Sequence, residues 1–243
     1  KKGELMMSFI RVENLTKRYN DVDAVKGISF TVEKGSLFAF LGSNGAGKST
    51  TIQILCTLLE KTSGNVSIDG YTIGTMKDNE VIRRLIGVVF QQSILDNILT
   101  VKENILHRGR FYCLPKVQLQ ENYQFVKQFL QLEDIEDKKY GELSGGQRRR
   151  ADIGRALIHK PSLLFLDEPT TGLDPHTRQF VWEAIDRLRK ETGMTIFLTT
   201  HDMAEAETLC DRVAFLHKGK IQAIGAPSKL KHDYSDESMT VQL

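Results

Sequence analysis

The sequence has no long hydrophobic run, no secretory signal pattern among its first residues and no paired cysteine motif. Every apolar stretch is far shorter than the roughly 20 residues that a membrane-spanning helix needs, and the first residues show no signal-peptide pattern. The three cysteines, Cys56, Cys113 and Cys210, lack C-x-x-C spacing. This dispersed, odd set predicts reduced thiols in a cytosolic protein, with Cys56 as a small core residue in the middle of a helix.

An excess of charge of one sign is also missing. Lys and Arg number 33 and Asp and Glu 31 among the 243 residues, a net charge of +2. This gives no electrostatic argument for nucleic acid, and we expect no nucleic acid partner. The length suits one large domain or a core with an inserted subdomain. The adjacent Met6 and Met7 predict a native start at one of them, so residues 1–8 are interpreted as a tail or an added remnant.

A glycine-rich stretch at 42–50 matches the phosphate-binding loop pattern G-x-x-x-x-G-K-S/T. An apolar run at 36–41 precedes it as a predicted buried strand, and 49–60 follows as a predicted helix. Glycine backbones can turn successive N–H groups towards an anion, and a helix N-terminus adds its positive end. The pattern predicts that Lys48 reaches the β- and γ-phosphates of a nucleotide and that Ser49 binds Mg²⁺. The alternative is an ordinary strand-to-helix turn.

Three predicted buried strands end in polar side chains: Gln91 after 87–90, Asp167 and Glu168 at the end of 163–168, and His201 after 194–199. Ligands bind outside the carboxyl ends of strands in open α/β sheets. A buried carboxylate is costly without a partner, so Asp167 predicts a nearby Mg²⁺. Glu168 is suited to orienting or deprotonating a water molecule. The alternatives are a plain strand end for Gln91 and a structural role for His201.

Residues 144–147, Ser-Gly-Gly-Gln, open another predicted helix, with Ser144 as a natural N-cap. Gly145 and Gly146 each cost this helix about 1 kcal/mol relative to alanine. They therefore predict that something approaches the backbone closely, an anion being the physical candidate and a flexible hinge the alternative. The basic run at 147–150 is interpreted as a mostly solvated face.

The remaining patterns predict an α/β core with two additions. Short strands joined by turns before the glycine-rich loop indicate a small N-terminal antiparallel β subdomain. Residues 93–143 show helical spacing and no strand pattern, which indicates an inserted α-helical subdomain. The predicted domains are the nucleotide-binding core with the antiparallel subdomain at 9–92 and 155–243, and the helical subdomain at 93–154.

These motifs, in this order, resemble the ATP-binding subunits of ABC transporters. The resemblance runs from Phe9 to about Pro227, and the pentapeptide Leu-Ser-Gly-Gly-Gln at 143–147 is its most specific element. It implies a P-loop NTPase (RecA-like) core with a mostly parallel sheet. The resemblance implies that the nucleotide is ATP, and the Asn-Lys-x-Asp guanine motif is absent from the sequence. The residues at 148–153 and 209–213 are similar to those of the branch that serves ABC-2 type exporters.

The resemblance also implies a role for each motif residue. Tyr19 is implied to stack on adenine with Val25 on the same face, Gln91 to contact Mg²⁺ and the attacking water, Asp167 to bind Mg²⁺, Glu168 to act as general base and His201 to contact the γ-phosphate. Asp174 is implied to couple two sites across a dimer. The further residues implied to bind ATP are Gly42, Ser43, Asn44, Gly45, Ala46, Gly47, Lys48, Ser49, Thr50, Ser144, Gly145, Gly146 and Gln147.

By the same resemblance, two copies, or one copy and a paralogous ATPase subunit, are implied to sandwich two ATP molecules head to tail. A separate transmembrane permease subunit is implied to form the path, with this chain peripheral on the cytoplasmic face of the cell membrane. Export is favoured. An ABC importer subunit is the first alternative, and a soluble ABC-type ATPase acting on nucleic acid or ribosomes is the second. No sustained heptads separate Lys48 from Asp167, which argues against the DNA-repair members of that class.

Overall fold

The computed structural model describes residues 8–235, with side chains as far as Lys231. All of the predicted tail except Ser8 lies outside the described residues. The elements in chain order are β1 (Ser8–Tyr19), β2 (Val22–Glu33), β3 (Leu37–Leu41), α1 (Lys48–Leu55), β4 (Ser63–Ile68), β5 (Tyr71–Thr72), α2 (Met76–Leu85), β6 (Ile86–Val89), α3 (Val101–Arg110), α4 (Lys116–Phe129), a 3₁₀ turn (Tyr140–Glu142), α5 (Gly145–Leu157), β7 (Leu163–Asp167), α6 (Pro175–Thr192), β8 (Thr195–Thr200), α7 (Met203–Leu209), β9 (Arg212–His217), β10 (Lys220–Gly225) and α8 (Pro227–Ser235).

These elements form two compact units, one of Lys1–Ile82 with Thr195–Leu243 and one of Arg83–Met194. The predicted helical insertion at 93–154 falls within the second unit, and its boundaries stay a prediction. None of the described helices is long and apolar enough to cross a membrane.

The first unit contains the predicted antiparallel sheet, with strand order β2-β1-β4-β5. Its first two strands are 12 residues long each, longer than the sequence pattern alone predicts, because the register shifts along their pairing absorb breaks in the alternation. A two-residue turn, Asp69-Gly70, joins β4 to β5 with positive φ at both positions, 49° and 83°. That geometry is the hairpin turn for which Asp-Gly is preferred.

The first unit also contains a buried parallel core. Strand β3 pairs in parallel with β8 and with β9, and β10 pairs antiparallel with β9. Every residue of β3 and β8 is buried, and Phe30, Phe38, Phe40 and Phe197 interlock with ring centroids 4.9–6.0 Å apart. This rigid core fixes where the loop after β3 begins.

The helix after that loop is shorter than predicted. Helix α1 ends at Leu55 rather than near residue 60. Cys56 is therefore its C-cap and not a mid-helix residue, although it is buried as expected. Thr57 has φ +59°, and a residue in the left-handed region ends a helix.

The second unit pairs β6 in parallel with β7 and packs helices α3, α4 and α5 together. The predicted helices at 101–110 and 117–130 agree with α3 and α4 to within one residue at each end. Strand β7 ends at Asp167, one residue before the predicted end, because Glu168 has φ +46° and leaves the extended conformation.

Helix α5 and the residues after it cover the edge of β6, the last strand of its sheet. The carbonyl of Ile86 lies 3.0 Å from His159 Nε2, and the carbonyl of Val88 accepts from Arg155 at 2.5 Å. A carbonyl can only accept, so His159 carries its proton on Nε2. The Tyr112 ring stacks on the imidazole at 3.8 Å. Burial lowers the pKa of His159 to about 4.

This burial makes the fold sensitive to acid. Between its folded pKa of about 4 and an unfolded value of about 6.5, His159 binds a proton only in the unfolded chain. The free energy of unfolding should therefore fall by about 2 kcal/mol between pH 7.5 and pH 5. Urea unfolding of the native chain and of His159→Gln at both pH values measures this. The variant should lose that part of the pH dependence, whereas the exposed His107→Gln should keep it. An equal slope in all three proteins would contradict the assignment.

Candidate functional site

The glycine-rich loop at 42–50 is shaped by close backbone approach within the first unit. A Cβ on Gly42 would lie 2.4 Å from the carbonyl oxygen of Leu216, and one on Gly47 would lie 2.8 Å from that of Ala24. Gly47 also has φ +103°, which side chains oppose. Both positions therefore require glycine for packing as well as for any anion they hold. The loop is closed from outside by the N–H of Gly219, which donates to the Ala46 carbonyl at 3.0 Å.

Lys48 is buried at the first position of α1, with 5% of its surface exposed. Its ammonium group donates to the carbonyls of Gly42 at 2.6 Å and Ser43 at 3.2 Å. The charge is thus held over the loop by the loop's own carbonyl groups. The residue before it, Gly47, is the N-cap of α1 and has no side chain with which to satisfy the first N–H groups of the helix. Such an N-terminus fits a phosphate group.

His201 leaves the same sheet beside this loop. Thr200 pairs with Leu41 in the parallel register of β8 and β3, and the N–H of Gly42 donates to the Thr200 carbonyl at 3.2 Å. His201 follows directly and is exposed. The structure therefore brings His201 and the start of the loop to one edge of the sheet, as parallel strands require.

Tyr19 and Val25 lie in the antiparallel sheet of the first unit. The Tyr19 side chain is exposed at the end of β1, with the Lys17 ammonium 4.9 Å from its ring centre. Val25 is buried, and its Cγ2 lies 3.7 Å from the position of a Cβ on Gly47. Tyr19 is thus open to stacking, whereas Val25 supports the loop from beneath.

In the second unit, Gln91 and Glu168 meet. Glu168 is buried, with 7% exposure, directly after β7. Its Oε2 accepts from Thr171 Oγ1 at 3.1 Å and from Gln91 Nε2 at 3.4 Å. Asp167, the last residue of β7, is also buried. Two neighbouring carboxylates, one held by hydroxyl and amide donors, fit a site where a water molecule is oriented or deprotonated.

The sequence prediction for the basic run at 147–150 was wrong for Arg149. This side chain is buried, with 7% exposure. Its guanidinium group donates to the carbonyls of Pro169 at 2.5 Å and Glu168 at 2.7 Å, and to that of Phe90 at 2.9 Å. Three consecutive arginines give no sign in the sequence of which one turns inward. Which arginine is buried depends only on the direction in which each position of α5 faces. The sequence does not reveal this, because α5 is buried on several faces towards its end.

Ser144 caps α5 as predicted. Its hydroxyl accepts from the Gln147 N–H at 3.3 Å, while the Gln147 side chain accepts from the Ser144 N–H at 3.1 Å, which completes a capping box. A Cβ on Gly146 would lie 2.4 Å from Thr177 Cγ2, whereas one on Gly145 would meet nothing closer than 3.9 Å. Within the described chain, packing therefore explains Gly146 but not Gly145, which is exposed.

Asp174 is the N-cap of α6 and uses its carboxylate within the same unit. Its two oxygens accept from the Thr177 N–H at 3.0 Å and the Thr177 hydroxyl at 2.6 Å. These bonds hold the pKa of the Asp174 carboxyl below its usual range. Because Thr177 also contacts the Gly146 position, the starts of α5 and α6 are built together.

The predicted ligands of Mg²⁺ suit that ion chemically. Ser49 offers a hydroxyl, Gln91 an amide oxygen and Asp167 a buried carboxylate, all hard oxygen donors. Among the residues that the structure describes, no group of three His, Cys, Asp or Glu side chains could hold a metal. Mg²⁺ is usually bound by one or two protein carboxylates together with substrate phosphates, and Asp167 is the carboxylate among these three donors.

Comparison with known proteins decides the family. A family model described as "ABC transporter" matches residues 25–171, more than half of the chain, and one described as "AAA domain, putative AbiEii toxin, Type IV TA system" matches 139–207. The linearmycin resistance ATP-binding protein LnrL of Bacillus subtilis is 41% identical over 221 residues, 91% of this chain and 70% of LnrL. The chain belongs to the ABC transporter family. It is an ATP-binding subunit with the α/β P-loop NTPase fold that the sequence predicted.

Further similarities support this membership. The Nod factor export ATP-binding protein I of Rhizobium sp. is 42% identical over 225 residues, 93% of this chain and 73% of that protein. The solved structure of cbiO1 from Clostridium perfringens, part of the ABC transporter complex cbiONQ, superposes with a TM-score of 0.86 at 30% identity, over 97% of this chain and 96% of cbiO1. A dimeric ATP-binding cassette bound to ADP and Pi superposes with a TM-score of 0.81 at 29% identity, over 90% of this chain and 98% of that one. As an ABC ATPase, this chain is expected to hydrolyse ATP.

The contrast between Gly145 and Gly146 predicts opposite effects of alanine on stability. Gly146→Ala should lower the free energy of unfolding by about 1–3 kcal/mol, because its Cβ would overlap Thr177. Gly145→Ala should leave it unchanged or raise it by up to about 1 kcal/mol, because alanine favours the helix and has room. Urea unfolding followed by circular dichroism, without nucleotide, compares the two variants. Equal losses would show that the contact with Thr177 does not decide the glycine at 146.

Proposed function

We propose that this chain powers export across a membrane by hydrolysing MgATP as one of two ATPase subunits bound to a separate transmembrane permease. The observation that carries hydrolysis is Glu168, a buried carboxylate at the end of β7 whose oxygen is held by Thr171 and Gln91. The direction of transport rests on the similarity to export and resistance proteins over nine-tenths of the chain.

ATP binding is assigned in this proposal to the loop at 42–50. Its N–H groups and the N-terminus of α1 hold the phosphate oxygens. Lys48 leaves the carbonyls on which it rests and contacts the β- and γ-phosphates. The exposed Tyr19 ring stacks on adenine, and His201 contacts the γ-phosphate.

Hydrolysis is assigned to the polar residues that end β6 and β7. Glu168 orients the attacking water and accepts its proton, and Gln91 holds the Glu168 carboxylate and the water. Ser49, Gln91 and Asp167 are the residues that would hold Mg²⁺, which neutralises charge on the phosphates when it is bound. Phosphoryl transfer to water needs positioning and charge neutralisation more than covalent chemistry, and these side chains are suited to both.

The second half of each site is proposed to come from the partner subunit. The exposed Ser144 and Gly145 at the N-terminus of α5 would close on the γ-phosphate of ATP held by the loop of the other copy, in a head-to-tail pair. Asp174, beside them in the second unit, would couple the two sites. The loss of the γ-phosphate on hydrolysis would then weaken the dimer and supply the mechanical step.

The proposed location is peripheral, on the cytoplasmic face of the membrane beside the permease. Import is the competing function, since its ATPase subunits share these motifs. Co-purification of the chain with its membrane partner from native membranes discriminates between them. A partner with about six spans and no associated solute-binding protein supports export, whereas a solute-binding protein in the complex would favour import.

Glu168→Gln tests the assigned base. The variant should retain ATP binding but lose turnover by about 100-fold or more, because a general base contributes factors of this size. It should also form an ATP-stabilised dimer on gel filtration. Glu183→Gln, an exposed position on α6, is the matched control and should behave as the native chain does. Unchanged ATPase activity in Glu168→Gln would remove Glu168 from the mechanism.

Ser144→Arg tests the contribution of the partner. A long cation at the N-terminus of α5 would block approach to the other copy's ATP, so hydrolysis should be lost while nucleotide binding to the single chain persists. Gln120→Arg places the same charge on the exposed face of α4 and should leave both unchanged. Binding of a fluorescent ATP analogue and steady-state turnover are the measurements. Parallel loss of binding and hydrolysis in Ser144→Arg would argue against a site completed by a second copy.

A further inference from the structure

Arg149 of α5 bonds the backbone on which the proposed base is built. Its donors reach three carbonyl oxygens at 2.5–2.9 Å, and its side chain is buried. A buried charge is stable only when its donors are satisfied. The planar guanidinium group can serve several acceptors in fixed directions, which a lysine ammonium group cannot do in the same way.

Two of these bonds fix the conformation of Glu168. Its φ of +46° lies in the left-handed region, where a residue other than glycine stores about 1–3 kcal/mol of strain. Such strain persists only where neighbouring groups enforce it. The bonds from Arg149 to the carbonyls of Glu168 and Pro169 set the two peptide planes that follow the Glu168 Cα atom. They therefore restrain the backbone on the C-terminal side of Glu168, from which its side chain leaves the chain.

The third bond acts on Gln91. The Phe90 carbonyl belongs to the peptide group that leads into Gln91, and it accepts from Arg149 at 2.9 Å. On the other side, Ser93 donates to Asp152 of α5 at 2.5 Å. Helix α5 thus holds the chain both before and after Gln91, whose amide in turn contacts the Glu168 carboxylate. One helix sets the backbone of both side chains.

We propose that Arg149 is a positioning residue for ATP hydrolysis, which holds the strained backbone of Glu168 and the peptide before Gln91 so that their side chains meet. The role rests on the proposed function of Glu168 as the base. Arg149 itself touches neither nucleotide nor water in this role. Its loss should therefore lower turnover without weakening the binding of ATP.

Arg149→Lys and Arg149→Gln in the full chain test this role. Lysine keeps a donor of similar reach and glutamine a shorter, neutral one, but neither can serve three carbonyls, so kcat should fall about 10- to 100-fold, as small misplacements of catalytic groups do. The KM for ATP should stay within about three-fold, since the loop at 42–50 is unchanged. Arg155→Lys is the matched control. It alters a second buried arginine of α5, which bonds the Val88 carbonyl, and it should keep the native kcat per folded molecule.

A double variant separates positioning from general damage. If Arg149 acts by bringing Glu168 and Gln91 together, then Arg149→Lys should lower the residual turnover of Glu168→Gln by much less than it lowers that of the native chain, because coupled residues are not additive. Multiplied losses would overturn the proposal, as would native kcat in both Arg149 variants or an equal fall in Arg155→Lys. Loss of turnover in Glu168→Gln together with native turnover in both Arg149 variants would leave the proposed function standing and refute only this inference. Native turnover in Glu168→Gln would refute both.

Discussion

Three peptide carbonyl groups in the second unit converge on the guanidinium group of Arg149. Taking that charge out of water costs several kcal/mol, and only acceptors in good geometry can offset it. The acceptors are available because β6 and β7 both end at this point and because the chain turns sharply at Glu168. The buried arginine and the strained turn therefore depend on each other.

The first unit is organised by a different constraint. Its phosphate-binding loop is shaped by steric exclusion, since Gly42 lies against the Leu216 carbonyl and Gly47 against that of Ala24. The turn between β9 and β10 adds a hydrogen bond to Ala46. A loop held in this way keeps its shape without a ligand, so that little ordering entropy remains to be lost when phosphate binds. The loop of the first unit is thus shaped mainly by close packing, whereas the turn at Glu168 in the second unit is held by polar contacts.

This difference explains what could be predicted from the sequence. The spacing of the glycines predicts the loop at 42–50, because only glycine fits where the backbone is closely approached. The polar residues at the ends of predicted buried strands identify Gln91, Asp167 and Glu168 as candidate site residues. The burial of Arg149 could not be predicted, since the sequence does not distinguish a buried arginine from a solvated one. Its acceptors are backbone carbonyls, which carry no sequence signature, and they come from segments about 20 and 60 residues away.

Similar limits apply to the glycines that open α5. The sequence predicts one cause for both, the close approach of an anion. The structure separates them, because a Cβ on Gly146 would overlap Thr177 of its own unit, whereas one on Gly145 would meet nothing closer than Leu173 at 3.9 Å. Only the pairing with α6, remote in sequence, could have shown this. Packing within the described chain therefore accounts for the glycine at 146 and leaves the glycine at 145 without a packing reason.

Helix α5 connects the proposed contact with a second copy to the backbone of the proposed base. Its first turn presents Ser144 and Gly145, which are exposed, and the turn that follows carries Arg149, bonded to the backbone of Glu168. Arg149 lies only one turn from Ser144 in a helix of 13 residues that opens with a capping box, so a shift of the N-terminus of α5 would displace the arginine as well. In a head-to-tail dimer, closure on the partner's ATP would therefore adjust this chain's own base. The coupling would need no path other than this one helix and its three hydrogen bonds.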